Sequence, residues 1–165
     1  MATLEQIQDF LACKRVAMVG VSRNANDFTR TLFREFVSRG YDVVPVHPGV
    51  CEVEGRQCCA HIRDITPPVE ALLVTAPGVT DFVVRDCAAA GVTRVWMYRA
   101  TGSGAVSRDA VAFCESQGMS VVDGECPFMF FPKAEFPHRA HGWWRRMTGR
   151  LPRPAGVKRQ AAGAG

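Results

Sequence analysis

The apolar positions change period along the chain, and each change marks an element. In residues 3–12, Leu4, Ile7, Phe10 and Leu11 recur at helical spacing, and Thr3 with Gln6 fits a capping box. Val16 to Val19 form a continuous apolar run, which suits a strand covered on both faces. Gly20 and the polar stretch from Ser22 to Asp27 read as a turn. Phe28, Leu32, Phe33, Phe36 and Val37 then return to a spacing of three and four. A second strand is predicted over 41–46, broken by His47-Pro48-Gly49. Residues 49–66 are irregular: 53–57 suggests a turn and 62–65 a short helical turn, before Pro67-Pro68. Beyond them the pattern predicts a strand over 69–75, a helix over 79–90 with Thr80 and Asp81 placed to cap its start, and a strand over 93–98. A glycine-rich loop at 101–104, a helix over 105–117 and a strand over 119–122 follow.

Gly40, Gly91 and Gly118 each close a helix and lead into an apolar strand. Such alternation predicts an α/β protein, a Rossmann-like doubly wound parallel sheet of five strands in the order 3-2-1-4-5, with helices on both faces. The loops at the carboxyl ends of the strands then converge beside the central first strand, where ligands bind in such sheets. The first of them is a strand, a Gly/Ser turn and a helix start, which together can cradle a phosphate.

Composition narrows the class. The chain has 165 residues, 47% hydrophobic and 22% charged, enough for one domain with a real core. No apolar run approaches the roughly 20 residues of a membrane span. The first residues have neither a basic nor an apolar leader segment, so no signal peptide is expected. Seven cysteines, an odd number scattered through strands and helices, fit a reducing cytoplasm better than a disulfide scaffold. The net charge of +4 is uneven. Residues 1–132 carry 12 Lys/Arg and 15 Asp/Glu, whereas residues 133–165 carry 8 Lys/Arg and the single acid Glu135. A nucleic-acid partner is therefore not expected for the body.

The first loop is not a dinucleotide fingerprint. Gly20-Val21-Ser22-Arg23-Asn24-Ala25 has one glycine, and the end of the second strand holds His47 where a ribose-binding carboxylate is needed. This disfavours NAD(P) oxidoreduction. The loop can still meet a diphosphate through Ser22, Arg23 and the helix N–H groups. Cys51, Cys58, Cys59 and His61 lack the paired spacing of a structural zinc site, and no metal is expected. No serine hydrolase motif occurs.

Taken together, Val19-Gly20-Val21-Ser22-Arg23-Asn24, Val46-His47-Pro48, Ala76-Pro77 and Asp123-x-x-Cys126-Pro127 resemble the small bacterial CoA-binding proteins. These are stand-alone Rossmann-like domains related to the CoA-binding domain of succinyl-CoA synthetase and of ADP-forming acyl-CoA synthetases. The resemblance spans roughly residues 5–130. It implies that coenzyme A or an acyl-CoA is the ligand. It places Gly20, Val21, Ser22 and Arg23 at the diphosphate, with Thr29 adding a hydroxyl. Val46, His47 and Pro48 would flank the adenosine, Ala76 and Pro77 would border the adenine or the pantetheine exit, and Cys126 would shape the far rim. His47 stands where the family usually has Asn, which leaves Arg23, Arg30 and Arg56 as alternatives for the ribose 3′-phosphate.

The implied function is a CoA-binding module without catalysis of its own. An NAD(P)-linked oxidoreductase or a subunit of an acyl-CoA synthetase is the alternative. A homodimer is left open, and a membrane-surface role is not favoured. The expected organisation is a binding domain over 1–132, an aromatic and basic appendage over 133–151 containing His138, His141, Trp143 and Trp144, and a disordered tail over 152–165.

Overall fold

The computed structural model describes residues 2–99 and 104–131. The appendage and tail expected beyond residue 132, with most of the 101–104 loop, lie outside the described residues. Helix α1 (Leu4–Ala12) carries the expected capping box. Strand β1 (Arg15–Val19) leads into α2 (Phe28–Ser38), and β2 (Asp42–Val46) follows. A small antiparallel hairpin, β3 (Glu52–Val53) and β4 (Arg56–Gln57), occupies the irregular segment. Strand β5 (Glu70–Leu73), α3 (Pro77–Ala89), β6 (Arg94–Met97), α4 (Arg108–Ser116) and β7 (Ser120–Asp123) complete the alternation.

The sheet is parallel throughout, five-stranded and Rossmann-like, in the order β2-β1-β5-β6-β7. Strand period decides which side chain enters which layer. Val16, Met18, Leu72, Trp96 and Val122 point into one core with Phe10 of α1 and Leu32, Phe33 and Phe36 of α2. Ala17, Val19, Leu73, Val95 and Met97 point into the other with Val84 of α3 and Cys114 of α4. Both faces are thus sealed, as the continuous apolar strands require.

The placement of one strand differs from expectation. The segment expected as third in the order, 69–75, lies beside β1 and not beyond β2. The outer edge of β2 is taken by the short stretch at Cys59, which makes a parallel bridge to Val46. Cys59 N–H donates to the Pro45 carbonyl and His47 N–H to the Cys59 carbonyl, each at 3.0 Å. Counted in chain order with the Cys59 stretch as third, the order is 3-2-1-4-5-6, which is the 3-2-1-4-5 pattern with one further strand, β7, at the far edge. A contact of one bridge has no hydrophobic period to betray it.

Two helix starts also shift. Helix α3 begins at Pro77, with Ala76 as N-cap and no side-chain cap bond. Thr80 is not a cap. It is fully buried, and its hydroxyl pairs with that of Thr75 at 2.7 Å. Helix α4 begins three residues later than expected, capped by Ser107.

Trp96 is the largest fully buried side chain, packed edge-on against Phe10, with its indole N–H donating to the Glu125 carbonyl at 2.9 Å. Trp96→Ala should destabilise the fold by about 3–5 kcal/mol, as large-to-small core changes do. Urea unfolding of the variant beside the parent protein measures it.

Candidate functional site: a pocket at the carboxyl ends of the parallel strands

The chain diverges at the end of β1. Gly20 N–H donates to the Val46 carbonyl at 3.1 Å, on the β2 side. The Val19 carbonyl accepts from Val74 N–H at 2.9 Å, on the β5 side. Gly20 adopts φ +89°, and a Cβ there would lie 2.6 Å from Thr75 Cγ2. A residue with a side chain would be strained in conformation and would clash. Glycine therefore lets the loop turn away at the point where three strand ends meet.

A pocket of about 320 Å³ opens at this place. Its walls come from β1 (Val19, Gly20), the end of β2 (Val46, His47, Pro48), the stretch at Ala60–Ile62, Thr75 after β5, and the α3 side chains Val79, Val83 and Asp86. The lining is mainly apolar with a few polar groups, and the volume sits at the low end for small-molecule pockets. That is room for one end of an extended ligand.

The polar loop over Ser22–Asp27 is held by its own side chains. Ser22 N–H donates to Thr29 Oγ1, Asn24 N–H to Ser22 Oγ, and Asn26 N–H to Asn24 Oδ1, at 3.0–3.2 Å. Asp27 caps α2, accepting from the Thr29 N–H at 2.8 Å and the Thr29 hydroxyl at 2.6 Å. The Asp27 carboxylate thus already occupies the positive end of the helix dipole. The Ser22 and Thr29 hydroxyls shape the loop, and the N–H groups of Ser22, Asn24, Asn26 and Thr29 are already engaged. Among the described residues, the amides of Val21, Arg23 and Ala25 donate to no protein acceptor.

The three candidate arginines separate. Arg30 pairs with Glu54 at 2.9 Å. Arg56 reaches Asp42 at 3.3 Å and the Val43 carbonyl at 3.1 Å, at the start of β2 and away from the pocket. Arg23 is exposed, and no carboxylate partners it among the described residues. Its guanidinium lies over Gly49, where a Cβ would meet Nη2 at 2.8 Å, beside the His47 ring.

His47 Nδ1 accepts from Gly49 N–H at 3.0 Å, which leaves Nε2 as the protonated nitrogen of the neutral ring. Burial, and secondarily the positive charge of Arg23, holds the His47 pKa below its ordinary 6.5.

Four of the expected site residues, Gly20, Val46, His47 and Pro48, line the pocket. Ala76 and Pro77 lie in sequence between the lining residues Thr75 and Val79. Ser22 and Arg23 belong to the adjoining loop, and Thr29 to the first turn of α2, where its hydroxyl holds the Ser22 N–H. Cys126 is placed elsewhere. It is buried in the opposite core, in the cluster of Tyr98 and Phe128, and does not line the pocket. The lining residues His61, Ile62, Val83 and Asp86 were not expected. Asp86 sits in the interior of a helix, and His61 follows the edge bridge, so neither position carries a loop signature.

Among the described residues, no group of three or more His, Cys, Asp or Glu is placed to hold a metal ion. Among them, too, no helix is long and apolar enough to cross a membrane.

Residues 14–132 match the CoA binding domain family. The chain belongs to that family. Similar solved structures include a hypothetical protein from Pyrococcus horikoshii OT3, at 28% identity and TM-score 0.68, covering 74% of this chain and 85% of that one. A conserved hypothetical protein from Pyrococcus furiosus is also 28% identical, with TM-score 0.62, covering 68% of this chain and 95% of that one. An acetyl-coenzyme A synthetase of Ca. Korarchaeum cryptofilum shares the fold at 23% identity and TM-score 0.57, over 67% of this chain and 26% of the synthetase. No curated protein matches the chain.

The depressed His47 pKa has a consequence for stability. Between the folded pKa and 6.5 the unfolded chain binds more protons at this site than the folded one. Stability contributed by His47 is present above 6.5 and is lost as pH falls through that window. Titration by NMR should find His47 protonating below 6.5, with Arg23→Ala moving it part of the way back because burial remains.

Proposed function

We propose that this CoA-binding domain holds coenzyme A or an acyl-CoA across the carboxyl ends of β1, β2 and β5, as a binding module without catalysis of its own. The observation that carries the reading is the position of Arg23. It is a cation without a carboxylate partner among the described residues, over Gly49 and beside His47, at the edge of a pocket of about 320 Å³. A diphosphate against Arg23 and the Val21, Arg23 and Ala25 amides leaves one end of the ligand within reach of the pocket. Charge-assisted hydrogen bonds from arginine to phosphate are the strong ones. The carboxylate at Asp27 takes the helix N-terminus, so the attraction for the anion falls chiefly on Arg23.

The site is suited to binding more than to chemistry. No hydroxyl or thiol among the described residues is hydrogen-bonded to His47 or His61. A nicotinamide dinucleotide would meet His47 where its ribose needs a carboxylate. The exposed and half-buried thiols of Cys51, Cys58 and Cys59 suit a cytoplasmic setting.

Coenzyme A should raise the melting temperature and bind with a measurable heat, while NAD+ should do neither. Arg23→Ala should weaken binding about tenfold or more, the equivalent of about 1.5–3 kcal/mol for a lost charged hydrogen bond. Ser22→Asp should weaken it by repulsion of the diphosphate. Calorimetry with the two cofactors decides. A response to NAD+ without one to coenzyme A would transfer the reading to an oxidoreductase, and silence with both would remove it.

A further inference from the structure

The β3–β4 hairpin carries chemistry that CoA binding does not use. Its register pairs Glu52 with Gln57 and Val53 with Arg56. The next pair outward is Cys51 with Cys58, and Cys58 N–H donates to the Cys51 carbonyl at 2.8 Å. The two cysteines are therefore directly opposite, and directly opposite residues of an antiparallel ladder project from the same face. That face also holds Val53, which is buried in the core shared with α2. Cys51 is exposed and Cys58 is half-buried, and both are free thiols.

The position of this pair matters to the pocket. Residues Pro48 to Val50 form a loop between the end of β2 and the hairpin. One end of the loop is fixed by His47 N–H on the Cys59 carbonyl at 3.0 Å, and Arg23 rests over its Gly49. The other end is Cys51. Ala60, His61 and Ile62, directly after the Cys58-Cys59 pair, form part of the pocket wall.

We propose that Cys51 and Cys58 are a reversible redox pair, whose cross-strand disulfide fastens the Pro48–Val50 loop at both ends.

The geometry permits the bond and makes it labile. Opposite residues in a hydrogen-bonded antiparallel pair have Cα atoms about 5.5 Å apart, within the usual disulfide range. Their Cβ atoms lie up to about 5.5 Å apart, against about 3.8 Å in a disulfide, so the hairpin must close by more than about 1 Å. A strained, accessible disulfide of this kind is the readily reduced, regulatory type.

A small disulfide such as oxidised glutathione supplies the oxidising equivalents. The exposed Cys51 thiolate attacks one of its sulfurs, forming a mixed disulfide and releasing one thiolate. Cys58, as thiolate, then attacks the Cys51 sulfur and expels the second thiol. Two protein thiols are oxidised, the small disulfide is reduced to two thiols, and the protons lost by the cysteines pass to the released thiolates. Burial, followed by the neighbouring thiols Cys51 and Cys59, raises the Cys58 pKa, so its thiolate is the scarcer and the first attack falls to the exposed Cys51.

The test uses the full chain in glutathione buffers of graded ratio, followed by alkylation and trypsin. Cleavage after Arg56 separates peptide 40–56, with Cys51, from peptide 57–63, with Cys58 and Cys59. Mass spectrometry should find the two joined through Cys51 and Cys58, two hydrogens lighter than their sum. The link should persist in Cys59→Ser and vanish in Cys58→Ser. Amide exchange at Gly49 and Val50 should slow at least threefold on oxidation, and should not change in oxidised Cys58→Ser. A Cys58–Cys59, Cys51–Cys59 or interchain link, or thiols that stay reduced throughout, would overturn the pairing. A correct link with unchanged exchange would overturn the fastening of the loop. None of these readouts requires coenzyme A, so their failure is distinct from a failure of the binding reading.

Discussion

The close approach of the β1 and β5 ends at Gly20 is the constraint on which the site depends. A Cβ at that position would stand 2.6 Å from Thr75, and the backbone there is left-handed. Because glycine satisfies both demands, β1 can hydrogen-bond to β2 on one side and to β5 on the other up to its last residue. The loop then leaves the sheet where its neighbours diverge, and the pocket is the space so created. The same geometry brings residues from distant parts of the chain, His47, Ile62, Thr75 and Asp86, around one pocket.

Charge at the mouth of the pocket follows from the way α2 starts. A bare helix N-terminus attracts anions, but here Asp27 takes that place and uses Thr29 to anchor the backbone of Ser22. The loop is rigid at the expense of some of its donors. Positive charge is supplied by a side chain, Arg23, while Arg30 and Arg56 are drawn off to Glu54 and Asp42. His47 lies between the apolar wall and Arg23, and both influences disfavour its protonation.

The segment between β2 and β5 links these features. Its hairpin positions Glu54 for Arg30, its Cys59 backbone completes the edge of β2, and its next three residues help to line the pocket. A change in the hairpin is therefore transmitted to the site over one or two residues of backbone. Cys51 and Cys58 sit at the base of the hairpin, where such a change acts on the loop over which Arg23 rests.

Much of the fold was legible from local rules. Apolar runs at 16–19 and 69–75, amphipathic spacing after Phe28 and glycine after three helices determined the α/β alternation, and strand ends then pointed to Gly20 and His47. Those signals are local because side-chain period and turn chemistry are local. What required the tertiary structure was every choice between equivalent partners. Thr80 had the composition of a cap, yet its hydroxyl was recruited by Thr75 across the start of α3. Cys126 lay in a loop at the correct end of the sheet, yet the turn after β7 places it in the opposite core. Three arginines were equal as sequence, and only Arg23 stayed clear of a carboxylate partner among the described residues, because pairing depends on which acids the folded chain brings near. The chain's periods determined its layers; the distances between strand ends, which no period encodes, decided what the site contains.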